Sequence, residues 1–138
     1  FSKGGVLYHF PSKKALLSGM LDCLIEANEK RINALGNSDN ILAAYLHKEN
    51  QMTAAERRAS QALLAAAAED PELLIPAKDY MKRLVNEISQ SSQKPTEALT
   101  LLLAREGIRF LDILEINPMS SKQTREVVEQ LSQRAQEV

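Results

Sequence analysis

The sequence predicts an all-α fold, and three observations support this prediction. Hydrophobic residues make up 44% of the 138 residues, which is enough to form a core, yet aromatic residues are only 4% and tryptophan is absent. The core must therefore be aliphatic, chiefly leucine and alanine, and both are strong helix formers. Apolar residues also recur at spacings of three and four, the period of an amphipathic helix. These observations favour helices packed on helices.

Composition also argues against several classes of protein. Cys23 is the only cysteine, so the chain has no internal disulfide, and we expect a reducing, cytoplasmic environment. No apolar run approaches the roughly 18 residues that a membrane span requires, so we expect no membrane partner.

The chain begins with a short segment that the sequence predicts to be helical. Ser2 is a suitable N-cap for a helix over residues 3–10, and Pro11 ends that helix because proline cannot continue the hydrogen-bond ladder. Ser12 then caps a second, longer helix.

Residues 1–17, the first segment, are basic. They carry Lys3, Lys13 and Lys14 and no acidic residue, in a chain whose formal net charge is -1. Gly4 and Gly5 are poor helix formers that leave backbone amides uncovered. Uncovered amides, the helix dipole and a lysine together attract phosphate.

The run Ser2 to Lys13, reading SKGGVLYHFPSK, followed by three apolar residues at 15–17, resembles the recognition helix and linker of the TetR family of transcriptional regulators. The resemblance implies an all-helical homodimer with a helix-turn-helix domain and a larger helical bundle that binds a small effector and dimerises. Residues 1–14 would be the C-terminal part of the helix-turn-helix domain, and residues 15–138 the ligand-binding and dimerisation domain. Family members have two further helices before this point, so we expect the chain to be a fragment whose binding to an operator in double-stranded DNA needs those helices.

The resemblance assigns DNA contacts to this segment. Alternatively, Tyr8 could pack against neighbouring residues, and His9 could either contact a phosphate or lie on the surface. The whole segment could also be an ordinary corner between two helices, with its lysines exposed to solvent. The predicted DNA-binding residues are Ser2, Lys3, Gly4, Gly5, Tyr8, His9, Lys13 and Lys14.

Three helices are predicted in the first half of the chain after Pro11. The first runs from Ser12 to about Leu35 and ends at Gly36. The second covers residues 39–48, with Ser38 as its cap. The third begins at the capping box of Thr53 and Glu56 and runs to about residue 69. It is so rich in alanine that we expect it to lie centrally, with its neighbours at close approach.

Three more helices are predicted in the second half. Pro71 begins a short turn, and a helix follows over residues 76–89. A long helix runs over residues 96–115, and its first half is apolar on nearly all sides. A second capping box, formed by Ser120 and Gln123, begins the last helix.

The last two helices offer more apolar surface than one small domain can cover, which suggests a homodimer. In the last helix the apolar positions are spaced by four and three, the pattern of a helix lying against a partner at a shallow angle. Alternatively, residues 121–138 could cover the core of their own chain. The predicted dimer-interface residues are Leu99, Leu102, Leu103, Phe110, Thr124, Val128, Leu131 and Ala135.

Candidate effector-pocket residues combine apolar bulk with a few polar tips. Arg105 and Arg109, four apart on one helix face, could receive an anionic ligand, although Glu106 and Asp112 could equally neutralise them. Each candidate could also belong to the core or to an interface. The candidates are Tyr45, Met52, Tyr80, Met81, Arg105, Arg109 and Phe110.

Catalysis is the rival interpretation, and the sequence offers little for it. The two histidines have no metal-ligand spacing, and Cys23 has no histidine nearby in the sequence. We therefore expect no enzymatic activity, no catalytic residue, no metal and no cofactor. Two alternatives remain: a repressor that an unknown small-molecule effector releases from its operator, or a helical effector-sensing and dimerisation module that does not itself bind DNA.

Overall fold

The computed structural model describes residues 10–35, 40–47 and 49–138. Its regular elements in these ranges are all helices, which confirms the all-α prediction. In chain order they are α1 (Lys13–Leu35), α2 (Ile41–Leu46), α3 (Ala54–Ala67), a 3₁₀ turn (Pro71–Leu74), α4 (Ile75–Ser91), α5 (Pro95–Ile113) and α6 (Ser121–Arg134).

The helix starts follow local side-chain chemistry. Ser12 Oγ accepts a hydrogen bond from the amide of Ala15 at the start of α1. The capping boxes predicted at Thr53 and Ser120 are both present, at the starts of α3 and α6. One predicted cap is wrong: α2 is capped by Asn40, whose side chain accepts from the amide of Ala43, and begins two residues later than expected.

The short helix α2 lies at the centre of the fold. It contacts α1, α4, α5 and α6, and its residues 42–46 are all buried. Around it the main core brings together Leu46, Ile88 and Leu102, with Ala135 from the end of α6. A helix of six residues can hold this position because both its faces are apolar.

A second, smaller core joins the first half of α1 to α3 and to the 3₁₀ turn. It contains Leu17, Leu21, Leu63 and Leu73. Of the residues in α3 only Leu63 and Ala67 are buried, so the expectation of a central alanine-rich helix is wrong. The alanines at 62 and 65 face the solvent, because one side of α3 has no neighbour within the described ranges.

Phe10, three residues before α1, packs against the second turn of that helix. A Cβ atom placed at Gly19 would lie 2.6 Å from Cε1 of Phe10, so the aromatic ring occupies the space that glycine leaves open. Phe10 is half-buried.

Candidate functional site

A cavity of about 380 Å³ lies between α3, the segment after α2, α5 and α6. Its lining is unusual for a chain of net charge -1, because four of the lining side chains are arginines and a single one is a carboxylate. The lining residues are Gln51, Met52, Arg57, Arg105, Arg109, Asp112, Asn117, Met119, Ser121, Thr124, Arg125 and Val128.

Arg105 is the most deeply buried of the four arginines, with 5% of its surface exposed. One terminal nitrogen donates to the backbone carbonyl of Asn50 at 2.8 Å. Its Nε atom is buried and has no hydrogen-bond partner among the described residues. Burial lowers the pKa of the guanidinium, and the neighbouring charge of Arg109 lowers it further. Arginine nonetheless stays protonated in proteins, so Arg105 is a buried cation that is only partly compensated.

The positive charge of Arg109 is compensated by side chains that lie behind the cavity. Its guanidinium lies 5.3 Å from the centre of the Tyr45 ring and donates to the Tyr45 hydroxyl at 3.1 Å. That hydroxyl donates to Glu106 Oε1 at 2.6 Å, and the same carboxylate oxygen lies 3.8 Å from Arg109. Burial raises the pKa of Tyr45, so its hydroxyl remains protonated and able to donate.

The remaining polar groups of the lining are less strongly paired. Asp112 accepts from the side-chain amide of Asn117 at 2.7 Å. Arg57 lies 3.9 Å from Glu115, and its Nε atom is buried without a hydrogen-bond partner among the described residues. Arg57 and Arg105 both line this cavity, and of their two Nε atoms only that of Arg57 has a carboxylate oxygen of the described residues within 4 Å, from Glu115. The apolar lining comes from Met52, Met119 and Val128.

The cavity is connected to α1 by a chain of hydrogen bonds through Asn50. This residue is fully buried, and its side chain donates to the carbonyl of Tyr45 at 2.8 Å. Its Oδ1 accepts from Nε of Arg31, on α1, at 3.2 Å. Because the Asn50 carbonyl also accepts from Arg105, one residue contacts both the cavity and α1.

Glu56 completes this connection, because it accepts from Arg31 at 2.7 Å and closes the capping box of α3. Burial alone would raise the pKa of Glu56. The backbone bond from Thr53 and the ion pair with Arg31 outweigh burial, so the pKa of this carboxyl is lowered. The carboxylate is therefore ionised at neutral pH and holds Arg31 in place.

A second cavity of about 220 Å³ lies between α1, α2 and α4. Its lining carries Glu29, Glu87 and Arg83, so it lacks the excess of positive charge. The hydroxyl of Tyr80, which also lines it, accepts from the side-chain amide of Asn28 at 2.6 Å.

The structure brings together three of the seven predicted effector residues: Met52, Arg105 and Arg109 line the large cavity. Tyr45 lies in the core behind them, and Met81 packs against the main core. Tyr80 lines the second cavity. Phe110 is half-exposed and does not line either cavity. Five residues separate it from Arg105, about 140° around the helix, so it faces away from the cavity.

Three predicted interface residues need correction. Leu102, Val128 and Ala135 are buried within their own chain, so their side chains are not available to a second subunit. Thr124, Leu131 and Leu99 are half-buried, and the last two pack against the main core. Leu103 and Phe110 are exposed in the single chain, as residues that contact a second subunit must be. The regular apolar spacing in α6 thus reflects packing against the core of its own chain, which is the alternative given above for residues 121–138.

Most predicted DNA contacts lie outside the described residues: Ser2, Lys3, Gly4, Gly5, Tyr8 and His9. Lys13 is exposed on the first turn of α1. Lys14 pairs with Asp70 at 2.8 Å and with Glu72 at 3.5 Å, which joins α1 to the 3₁₀ turn. In this chain these two carboxylates compensate the charge of Lys14, and its contact with DNA stays a prediction.

Nine of the twelve lining residues were not among the predicted effector residues, including Arg57 and Arg125, and Asn50 beside the cavity was missed as well. Arg57 and Arg125 lie on helices far apart in sequence, and only the packing of α3 and α6 against α5 brings them together. Asn50 follows α2 and precedes the capping box, in a segment with no periodic pattern. An asparagine between two helices usually indicates a turn, so no signal distinguished it.

Within the described residues, no cluster of three or more histidine, cysteine or acidic side chains could hold a metal ion. No helix in the same ranges combines the length and apolar character that crossing a membrane requires.

The family model described as "Tetracyclin repressor-like, C-terminal domain" matches residues 39–136. No curated protein and no solved structure matches the chain. The matched region does not overlap the first seventeen residues, on which the TetR resemblance depends, so two separate parts of the sequence indicate the same family. Because the match also covers well over half of the residues, the chain belongs to the TetR family of regulators, with residues 39–136 as its tetracyclin repressor-like C-terminal domain.

Proposed function

We propose that the chain is part of a DNA-binding transcriptional repressor that acts as a homodimer and leaves its operator when a small effector occupies the arginine-lined cavity. The observation that carries this proposal is the chain of hydrogen bonds from Arg105 through Asn50 to Arg31. It joins a cavity of ligand-binding size to the helix that leads back to the basic first segment.

The mechanism follows from these contacts. An effector that interacts with Arg105 competes with the Asn50 carbonyl for the same guanidinium, so occupancy weakens the hold of Asn50 on Arg31. A changed position of α1 then moves Phe10, which packs at Gly19. In a dimer, two recognition helices must enter successive major grooves about 34 Å apart, so a small tilt of each α1 weakens DNA binding.

The DNA-reading part of the proposal depends on sequence alone. Residues 1–14 would complete the helix-turn-helix domain, and residues 15–138 would form the effector-binding and dimerisation domain. Ser2, Lys3, Tyr8, His9, Lys13 and Lys14, with the amides of Gly4 and Gly5, would contact phosphates or base edges.

Selection of duplexes from a random DNA library, with the protein at its full natural length, tests the proposed function. We expect enriched palindromes whose half-sites are about one helical turn apart. Replacing Lys3 by alanine should weaken binding to the enriched duplex and reduce the slope of log affinity against log salt by about one phosphate contact. Lys122→Ala, which removes an exposed lysine of α6, should leave both unchanged. If no sequence is enriched, the effector-sensing module without DNA replaces the repressor.

A further inference from the structure

The cavity also indicates the chemical class of its ligand. We propose that it binds a small organic anion, with a carboxylate or phosphate head held by the arginines and a short apolar tail against the methionines. The lining of the cavity alone supports the binding of such an anion. The inference rests on the proposed function only where it identifies this anion as the effector.

Charge is the first step of the argument. The lining carries four guanidiniums and one carboxylate. Glu106 and Glu115, which lie behind it beside Arg109 and Arg57, still leave one positive charge in excess. The salt bridges of the described residues place no carboxylate against Arg105 or Arg125. A cationic ligand would be repelled, and a neutral ligand would leave this charge uncompensated.

Burial is the second step. Only 5% of the surface of Arg105 is exposed, and its Nε atom has no hydrogen-bond partner among the described residues. An unpaired buried donor on a charged group is costly, so a native protein normally satisfies it. Carboxylate and phosphate oxygens match the fork of N–H donors on a guanidinium and can accept two bonds at once.

Size and apolar lining define the rest of the ligand. A cavity of about 380 Å³ is at the small end of the range for organic ligands. Met52, Met119 and Val128 provide an apolar surface, and methionine adapts its shape to irregular partners. An inorganic ion would leave this surface without contacts, whereas a chain of several carbons would cover it.

Calorimetric titration of the 138-residue chain with four six-carbon probes tests the proposal. The probes are hexanoate, hexyl phosphate, hexan-1-ol and hexylammonium, each of which has six carbons and a different head group. We expect at least one anion to bind about tenfold or more tightly than the alcohol, and the ammonium compound to bind more weakly still. The comparison of hexanoate with hexyl phosphate assigns the head group.

Variants on two different helices identify the site. Arg57→Gln and Arg125→Gln should each weaken binding of the preferred anion by about tenfold. Arg58→Gln is the matched control, because Arg58 neighbours Arg57 on α3 but is exposed and does not line the cavity. Equal affinity for the alcohol, no binding of either anion, or unchanged affinity in both cavity variants would overturn the proposal.

The two proposals can fail separately. Anion binding that depends on Arg57 and Arg125, in a protein that selects no DNA sequence, would support the ligand class and reject the repressor. A selected operator that hexan-1-ol releases as readily as the anions do would support the repressor and reject the anionic ligand class.

Discussion

Phe110→Glu should convert a dimer of this chain into monomers. Phe110 is 51% exposed and Leu103 is 67% exposed, and Leu114 is also exposed. Spacings of seven and four place these three residues within about 40° of one another around α5, opposite its buried face. An exposed apolar stripe on a helix that is also apolar on its inner side indicates a partner.

Gly107 supports a second copy as that partner. It lies in the same stripe, and a Cβ at this position would meet no atom of the described residues within 4 Å. Glycine inside a helix costs roughly 1 kcal/mol relative to alanine, and no contact within the described residues accounts for that cost. A partner helix at close approach would account for it, because only glycine lets two backbones come so near.

The expected effect is large because a twofold interface contains each substitution twice. Burying a glutamate where an aromatic anchor packed should weaken dimerisation by at least about 100-fold. Sedimentation at several protein concentrations measures it. Ile75→Glu is the control, since Ile75 is 53% exposed at the start of α4, away from the stripe. Loss of dimer in the control alone, or an unchanged dimer in Phe110→Glu, would place the interface elsewhere.

Asn50→Ala should produce the largest loss of stability among single polar substitutions in the site. The substitution removes the donor to the Tyr45 carbonyl, in a buried bond, and the acceptor for Arg31 Nε, in a part-buried one. Leaving two such groups unpaired should lower the free energy of unfolding by about 2–4 kcal/mol. Urea denaturation measures this change, and no compensating contact is expected because alanine offers no polar atom.

Asn86→Ala is the matched control for this measurement. Asn86 is exposed on α4, and surface substitutions of this kind usually change stability by less than about 0.5 kcal/mol. A similar small change in Asn50→Ala would mean that the hydrogen bonds between the cavity and α1 are energetically unimportant. The proposed transmission to α1 would then lose its physical basis.

The sequence was most informative where structure depends on neighbours along the chain. The capping boxes at Thr53 and Ser120 involve residues three apart, and both were predicted correctly. The placement of Arg105 and Arg109 in one site followed from their spacing of four. These features depend on helix geometry alone.

Contacts between distant elements could not be read in the same way. A periodic apolar seam has the same spacing whether it covers its own core or a partner, so Val128 and Ala135 were assigned to the dimer although they are buried in their own chain. Likewise, a basic side chain in the first turn of a helix suits DNA or a nearby carboxylate equally, and the structure pairs Lys14 with Asp70. The alanine-rich α3 was expected at the centre because its composition does not reveal which faces have neighbours.

In the proposed mechanism two copies of this chain pair, and occupancy of the cavity moves α1. The only cysteine, Cys23, lies exposed on α1, so a nitroxide attached there reports the distance between the two α1 helices without any substitution. Pulsed dipolar spectroscopy should give a defined distance between the labels in the dimer, and that distance should shift when the anion preferred in calorimetry is added at saturation. The absence of any dipolar signal between the labels, or a distance unchanged by the saturating anion, would rule out this mechanism.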